Sequence, residues 1–212
     1  MIALQKLGKP QILVDNGTQW TSDYLELRRK QERDATIEGR YRHAQIKSCL
    51  IAETREKCAF CESKVLGTQF GDVEHLKPKK QYPELFVEWE NLTLACSKCN
   101  NAKRDVDGIL NPYTDNVTAH VQFLGPMVAP NCESACGSLT VRQLRLNRDE
   151  LLTRRAKRLA DLQNLIELVQ SLAAGPLKDA AETELSMAAQ GESEYSAFAR
   201  QYLDDLGLGH LV

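Results

Sequence analysis

Between Asp72 and Lys79 the chain reads DVEHLKPK, and from Cys96 to Lys103 it reads CSKCNNAK. The first stretch sets the carboxylate of Glu74 beside the imidazole of His75. The second closes a pair of cysteines with Asn100. Hydrolysis of a phosphodiester needs a water made nucleophilic, a cation on the phosphate and leaving oxygens, and a geometry that holds them together. His75, neutral near pH 7, can take the proton from that water. Glu74 and Asn100 offer hard oxygen ligands of the kind magnesium prefers. Asn91, in ENLTL, can hydrogen-bond backbone across the intervening loop and fix the strand that carries the histidine. Taken singly, a histidine beside an acid is more often a surface or core residue than a catalyst. Here the company of Asn91 and Asn100 favours chemistry.

The cysteines supply a separate element. Cys58 and Cys61 in CAFC and Cys96 and Cys99 in CSKC form two pairs with two residues inside each. Two such turns can present four thiolates to one tetrahedral zinc ion. Buried or redox-active thiols are the alternative. Zinc held by four thiolates has no open position for water, so it would staple the fold and leave catalysis to another ion. The 34 residues between the pairs exceed what a plain zinc ribbon requires, and they contain His75. Cys49, Cys132 and Cys136 lie outside the pattern and read as ordinary thiols. With no secretory leader evident and an odd total of seven cysteines, metal binding explains the pairs better than disulfides do.

Elements that could position these residues are legible around them. A basic run, Arg28 to Lys30, belongs to a helix expected to start after Trp20, capped by Thr21 or Ser22, with residues 1–19 an extended arm or a short strand. A second helix is expected to run through QIKSCLIAETREK to about Lys57 and deliver the chain to Cys58. From there to Asp107, Gly67, Gly71, Pro78 and Pro83 punctuate short apolar pieces, so DVEHL reads as a strand, LFVEWENLTL as the approach to a second, and SKCNNAKRD as a short helix. Residues 108–145, including GSLTVRQL, read as strands and turns. Asn147 and Glu150 resemble a capping box for a long helix with Leu151, Leu152, Leu159, Leu162, Ile166 and Val169 on one stripe. Its basic residues Arg154, Arg155, Lys157 and Arg158 read as a solvated face. Two further helices follow, near 177–190 and 192–206.

The fold class is thus α+β, mainly helical, in three parts: an N-terminal arm and helices (1–57), a ββα-metal core with the zinc clamp (58–107), and a strand and helix segment (108–212). A formal net charge of −2 argues against coating nucleic acid by bulk electrostatics and leaves room for a local basic patch. Lys77, Lys79 and Lys80, close to His75, are the candidates for it. No run approaches the ~20 apolar residues of a membrane span, and the expectation is a cytoplasmic protein without a membrane partner.

CAFC, VEHLKP, ENLTL and CSKCNNAK, in that order, resemble the HNH endonuclease family in its variety with a four-cysteine zinc clamp. The resemblance implies His75 as general base, Glu74 and Asn100 as ligands of the catalytic ion, Asn91 as the residue that positions the loop, and Lys103 facing phosphate. Glu74 stands where an aspartate is common and Asn100 where a histidine is common. Both keep an oxygen donor for a hard cation, and the second favours magnesium or manganese over zinc or nickel as the catalytic ion. More softly, YRHAQIKSCLIAETREKCAFCES, ILNPYTD and LRLNRDELLTRR resemble the HNH proteins of Septu and retron antiphage systems, the PtuB family. That likeness implies an ATPase partner of the PtuA type, and in some members a retron reverse transcriptase and its DNA. DNA is the first substrate expected, with RNA, including transfer RNA, the second. The competing reading is a zinc-ribbon module that binds nucleic acid or protein without cutting it.

Overall fold

The computed structural model describes residues 1–65 and 71–211. Gly67, one of the punctuating residues, falls outside them. At the centre, strand β1 (Asp72–His75) pairs antiparallel with strand β2 (Leu92–Ala95), with Asp72 opposite Ala95, Glu74 opposite Thr93 and His75 opposite Leu92. The connection between them winds through two 3-10 turns, Pro83–Leu85 and Trp89–Asn91. Helix α4 (Ser97–Lys103) follows at once, opened by the Cys96 sulfur accepting from the Cys99 N–H. This is the expected ββα unit. Every residue of β2 is buried, as a strand must be when it is covered on both faces.

Before this unit come α1 (Gln11–Lys30), α2 (Ala35–Gly39), a 3-10 turn (Arg40–Arg42) and α3 (Ala44–Glu53). Two boundaries differ from the sequence reading. Helix α1 begins at Gln11, ten residues before Thr21, with Pro10 in extended conformation ahead of it. Gly17 and the β-branched Ile12 and Val14 weaken intrinsic helix propensity there, but Leu13, Tyr24 and Leu27 fall on one face and are buried. Packing outweighs propensity. Helix α3 ends at Glu53, short of Lys57, because Arg55 and Glu56 take positive φ (54° and 61°) and turn the chain back, so that the Val65 N–H reaches the Glu56 carbonyl at 2.9 Å. Residues 1–10 do form an extended arm, held where the Trp89 indole donates to the Leu7 carbonyl at 2.8 Å and the Lys6 ammonium pairs with Glu53 at 3.1 Å.

After α4 the chain forms α5 (Val117–His120), a hairpin of β3 (Val121–Leu124) and β4 (Met127–Pro130), and then α6 (Ala135–Gln143), α7 (Asp149–Ser171), α8 (Pro176–Ala189) and α9 (Ser196–Asp205). GSLTVRQL lies in helix α6 and the turn after it, not in a strand; Ser134 caps α6 by accepting from the Gly137 N–H at 2.9 Å. Asn147 does not cap α7. Its side-chain amide lies against β4, accepting from the Val128 N–H and donating to the Val128 carbonyl, both at 2.8 Å. Gln201 of α9 does the same on the other edge, to Phe123 of β3, also at 2.8 Å. Phe123 and Val128 are register partners, so two side-chain amides stand in for the missing neighbouring strands of this hairpin.

Of the α7 stripe, Leu151, Leu162, Ile166 and Val169 are buried, and Leu152 and Leu159 are half-buried. Arg155, read as part of a solvated face, is 2% exposed and donates to the Pro126 carbonyl at 2.6 Å and to the Leu146 carbonyl. A buried guanidinium needs such acceptors, and they come from the hairpin turn and the segment ahead of the helix, which the helix sequence alone does not reveal. Buried apolar side chains from the N-terminal helices, the ββα unit and the C-terminal helices belong to one continuous core. No helix among the described residues is long and apolar enough to cross a membrane. We expect Asn147→Ala to lower unfolding free energy by about 1–3 kcal/mol, because the backbone groups of buried Val128 lose their partners. Urea denaturation checks this, and an unchanged midpoint would refute the bracket.

Candidate active site

The cysteine pairs converge. Cys58, Cys61, Cys96 and Cys99 are all buried, and their sulfurs lie within 4.8 Å of one another. With Zn–S bonds of about 2.3 Å a regular tetrahedron has edges near 3.8 Å, and Cys61 Sγ lies 3.8 Å from Cys96 Sγ. The set fits a structural zinc. Backbone closes the cluster too: the Cys58 N–H reaches the Ser63 carbonyl and the Ala59 N–H the Leu94 carbonyl, both at 2.9 Å, tying the first cysteine turn to β2.

The side chains around the cluster come largely from the C-terminal half. The Arg148 guanidinium points at the thiolates, with contacts of 3.8 Å and 3.8 Å to Cys99 Sγ and 3.9 Å to Cys96 Sγ. Burial alone would lower its basicity, but the negative sulfurs outweigh burial and raise it. The Tyr195 hydroxyl bonds Ser63 Oγ at 2.9 Å, which lies 3.5 Å from Cys61 Sγ. Sequence reasoning missed Arg148, since nothing in its spacing ties it to a site 49 positions back. Cys132 is exposed, and Cys136 is half-buried with its thiol toward the Gly108 carbonyl. Neither joins the cluster.

Beside the clamp, β1 and α4 face each other. Alternation along the strand puts Asp72 and Glu74 on one face, and helical spacing puts Asn100 and Lys103 on one face of α4. The two faces match: the Asn100 amide donates to Asp72 Oδ2 at 3.0 Å, and Lys103 Nζ lies 3.3 Å from Glu74 Oε1. Lys103 is wholly buried, so it does not face solvent-borne phosphate as the resemblance implied; its ammonium has the Glu74 carboxylate as partner and no hydrogen bond of good geometry. Burial pushes the Glu74 carboxyl up to about 7, against the opposing pull of Lys103. Asp72 is a second residue missed in the sequence, although DVEHL read as a strand already placed it with Glu74. The oxygen donors Asp72, Glu74 and Asn100 suit a hard divalent cation such as magnesium or manganese.

His75, the last residue of β1, is 4% exposed, and its Nε2 lies 2.8 Å from the Phe86 carbonyl. A carbonyl only accepts, so Nε2 carries the hydrogen and the lone pair sits on Nδ1. Burial holds the imidazole down at about 3, and the Lys79, Lys103 and Arg42 charges act in the same direction, so the ring is neutral. Asn91 closes the loop: its Oδ1 accepts from the Lys77 N–H at 2.7 Å, and its Nδ2 donates to the carbonyls of Lys77 (3.0 Å) and Leu85 (3.2 Å). Its own carbonyl accepts from the Leu76 N–H at 2.8 Å. These bonds clamp the ends of the segment that supplies both His75 and its Phe86 acceptor. Lys77 is exposed with its ammonium over the Tyr82 ring, and Lys80 pairs with Asp105 at 3.7 Å.

Residues 58–105 match the model of the HNH endonuclease family. The chain is similar to the Septu protein PtuB of Bacillus thuringiensis, 28% identical across 93% of this chain and 79% of that protein. It is also similar to the Septu protein PtuB of Bacillus mycoides, 25% identical across 58% of this chain and 54% of that protein. The ββα unit and its cysteine clamp are an HNH domain.

For the clamp we expect one zinc per chain by elemental analysis. Arg148→Met should retain the fold by circular dichroism yet lose zinc to a chromogenic chelator about 10-fold faster or more, the scale of outer-shell effects on metal sites. An unchanged release rate would show that the guanidinium does not hold the thiolate charge.

Proposed function

We propose that this chain is a metal-dependent HNH endonuclease that hydrolyses nucleic-acid phosphodiester bonds, DNA foremost, and serves as the effector of an antiphage system under the control of a PtuA-type ATPase. The HNH match and the similarity to Septu PtuB proteins support the nuclease and defence reading. The observation that carries the chemistry is the neutral His75 with Nε2 committed to Phe86 and Nδ1 left as the basic nitrogen.

In this reading His75 Nδ1 takes the proton of the attacking water. Glu74 and Asn100, with Asp72 beside them, hold one magnesium or manganese ion. Such an ion supplies positive charge for the phosphate and leaving oxygens. Phe86, by accepting from Nε2, fixes the ring and favours the protonated form as the proton arrives. Asn91 keeps the Phe86 segment and β1 at constant separation, so it is a positioning residue. Lys77 and Lys79 contact the substrate backbone, while Lys103 tempers the Glu74 carboxylate from within. A retron reverse transcriptase with its DNA remains a partner of the same reading. A bare nuclease endangers its host, which motivates control by the ATPase.

The test is cleavage of plasmid DNA and total RNA by the purified chain, with and without its co-expressed ATPase, in magnesium or manganese. His75→Ala should cut at least about 100-fold more slowly, with zinc content and melting temperature retained. His75→Asn, closer in shape, should be equally slow. Cleavage that survives both variants removes His75 from the chemistry. Nucleic-acid binding that needs no divalent ion, with no cleavage by any form, would favour the zinc-ribbon module.

A further inference from the structure

The 3-10 turn Arg40–Arg42 lies against β1, and its central residue, Tyr41, covers the histidine. Tyr41 is buried, its ring centroid 4.6 Å from that of His75 and 5.7 Å from that of Phe86. Two cations rest on this one ring: the Lys79 ammonium at 4.2 Å from its centroid and the Arg42 guanidinium carbon at 4.9 Å. Lys79 lies also 5.8 Å from the Phe86 centroid. Tyr24, stacked on Phe86 at 4.0 Å, backs the group from α1. Cation–π contact of this kind holds a charge in place without cancelling it.

The surrounding charges explain why these two stand apart. Three neighbouring cations are matched: Arg40 with Asp23 at 2.5 Å, Arg33 with Glu38 at 2.5 Å, Lys80 with Asp105 at 3.7 Å. Glu74 is taken by Lys103 and Asp72 by the Asn100 amide. Among the described residues neither Arg42 nor Lys79 has a carboxylate within 4.0 Å. Glu38, which faces Lys79, is committed to Arg33. Burial and the neighbouring Arg42 charge depress Lys79, the expected sign for like charges brought together without an anion between them. Such a pair is costly on its own and favourable once an anion sits against it.

We propose that Arg42 and Lys79, braced on Tyr41, form a two-cation seat for a backbone phosphate of the nucleic-acid substrate, with the Tyr41 ring setting its distance from His75. The seat rests on the nuclease reading of the site and adds Arg42 and Tyr41 to it. Arg42 is exposed and offers the forked donors that suit phosphate oxygens. The half-buried Lys79 adds a second charge from the segment that follows β1 directly. A cleft of about 470 Å³ opens beside Lys79 toward α1, lined by Arg28, Arg33 and Lys80 and also by the acids Glu32, Glu38 and Asp105.

The experiment measures binding of the full chain to labelled duplex DNA, single-stranded DNA and RNA by fluorescence anisotropy. It is run across a potassium chloride series without added magnesium or manganese, so that cleavage does not intervene. Arg42→Gln and Lys79→Gln should each weaken binding several-fold and reduce the slope of log affinity against log salt by about 1, as expected when one phosphate contact is lost. Arg42→Lys should restore most of the slope. Lys30→Gln, whose charge is paired with Glu26 on α1, should stay within twofold of the parent. Tyr41→Phe, which keeps the ring, should bind as the parent does, whereas Tyr41→Leu should weaken binding like the loss of a cation. Unchanged affinity and slope in the Arg42→Gln, Lys79→Gln double variant would overturn the seat. Should free inorganic phosphate at millimolar concentration displace every nucleic acid equally from parent and double variant, binding lies elsewhere and the seat is again overturned. The two readings fail separately. Binding that depends on both cations in a chain that never cuts keeps the seat and discards the nuclease; cleavage with binding indifferent to both does the reverse.

Discussion

Four converging cysteines, a set that fits one metal ion, hold together pieces of chain that share no long element. Cys58 and Cys61 lie on a tight turn after α3, and Cys96 and Cys99 at the junction of β2 and α4. β1 and β2 are four residues each and α4 is seven. Isolated two-stranded hairpins and helices of that length are marginal in water. The clamp fixes where α4 begins, and that start decides which face of α4 meets β1. The charge this gathers in a buried place is met by Arg148, so the C-terminal half completes the clamp as well as packing on it.

From that fixed start follows the match between Asp72 and Glu74 on the strand and Asn100 and Lys103 on the helix. A slip of one residue in β1 would turn both acids away and bring Val73 in their place. Burial raises the proton affinity of Glu74, and Lys103 opposes it from a position no solvent reaches. Breaking such a pair by removing one partner costs about 3–5 kcal/mol, so Lys103 belongs to the architecture of the site as much as to its chemistry. His75 is governed separately, from the loop side, through Phe86 and the Asn91 bonds. The site thus joins an acid and amide face set by the clamp to a neutral imidazole set by the loop.

The parts legible in the sequence are those whose physics is local. Tetrahedral zinc requires paired ligands on tight turns, so the two cysteine pairs announce themselves. Strand alternation in DVEHL and the short helix after CSKC follow from neighbours alone. What escaped was set by distant chain. The early start of α1 depends on what Leu13 and Tyr24 pack against, not on the propensity of a stretch containing Gly17. Asn147 next to a helix start looks like a cap until a hairpin edge from 19 residues earlier claims its amide. Arg155 on an amphipathic helix looks solvated until the carbonyls of Pro126, in the hairpin turn, and Leu146, ahead of the helix, take up its guanidinium. Lys103 follows the same rule: the motif marks it as important, and only the facing strand shows that Glu74 is its partner. Asp72 is different, because the alternation that identified Glu74 already implied it.

In the proposed site the clamp sets α4 over β1 so that one hard cation is shared between the strand acids and Asn100, with His75 outside its ligands. The most direct measurement is the manganese anomalous difference map of crystals of the zinc-loaded chain grown with manganese. One manganese peak within coordinating distance of Glu74 and Asn100, zinc at the four cysteines, and His75 Nδ1 free of metal are expected. A manganese peak on His75 Nδ1, or no peak beside Glu74 while zinc fills the cysteine site, would contradict it.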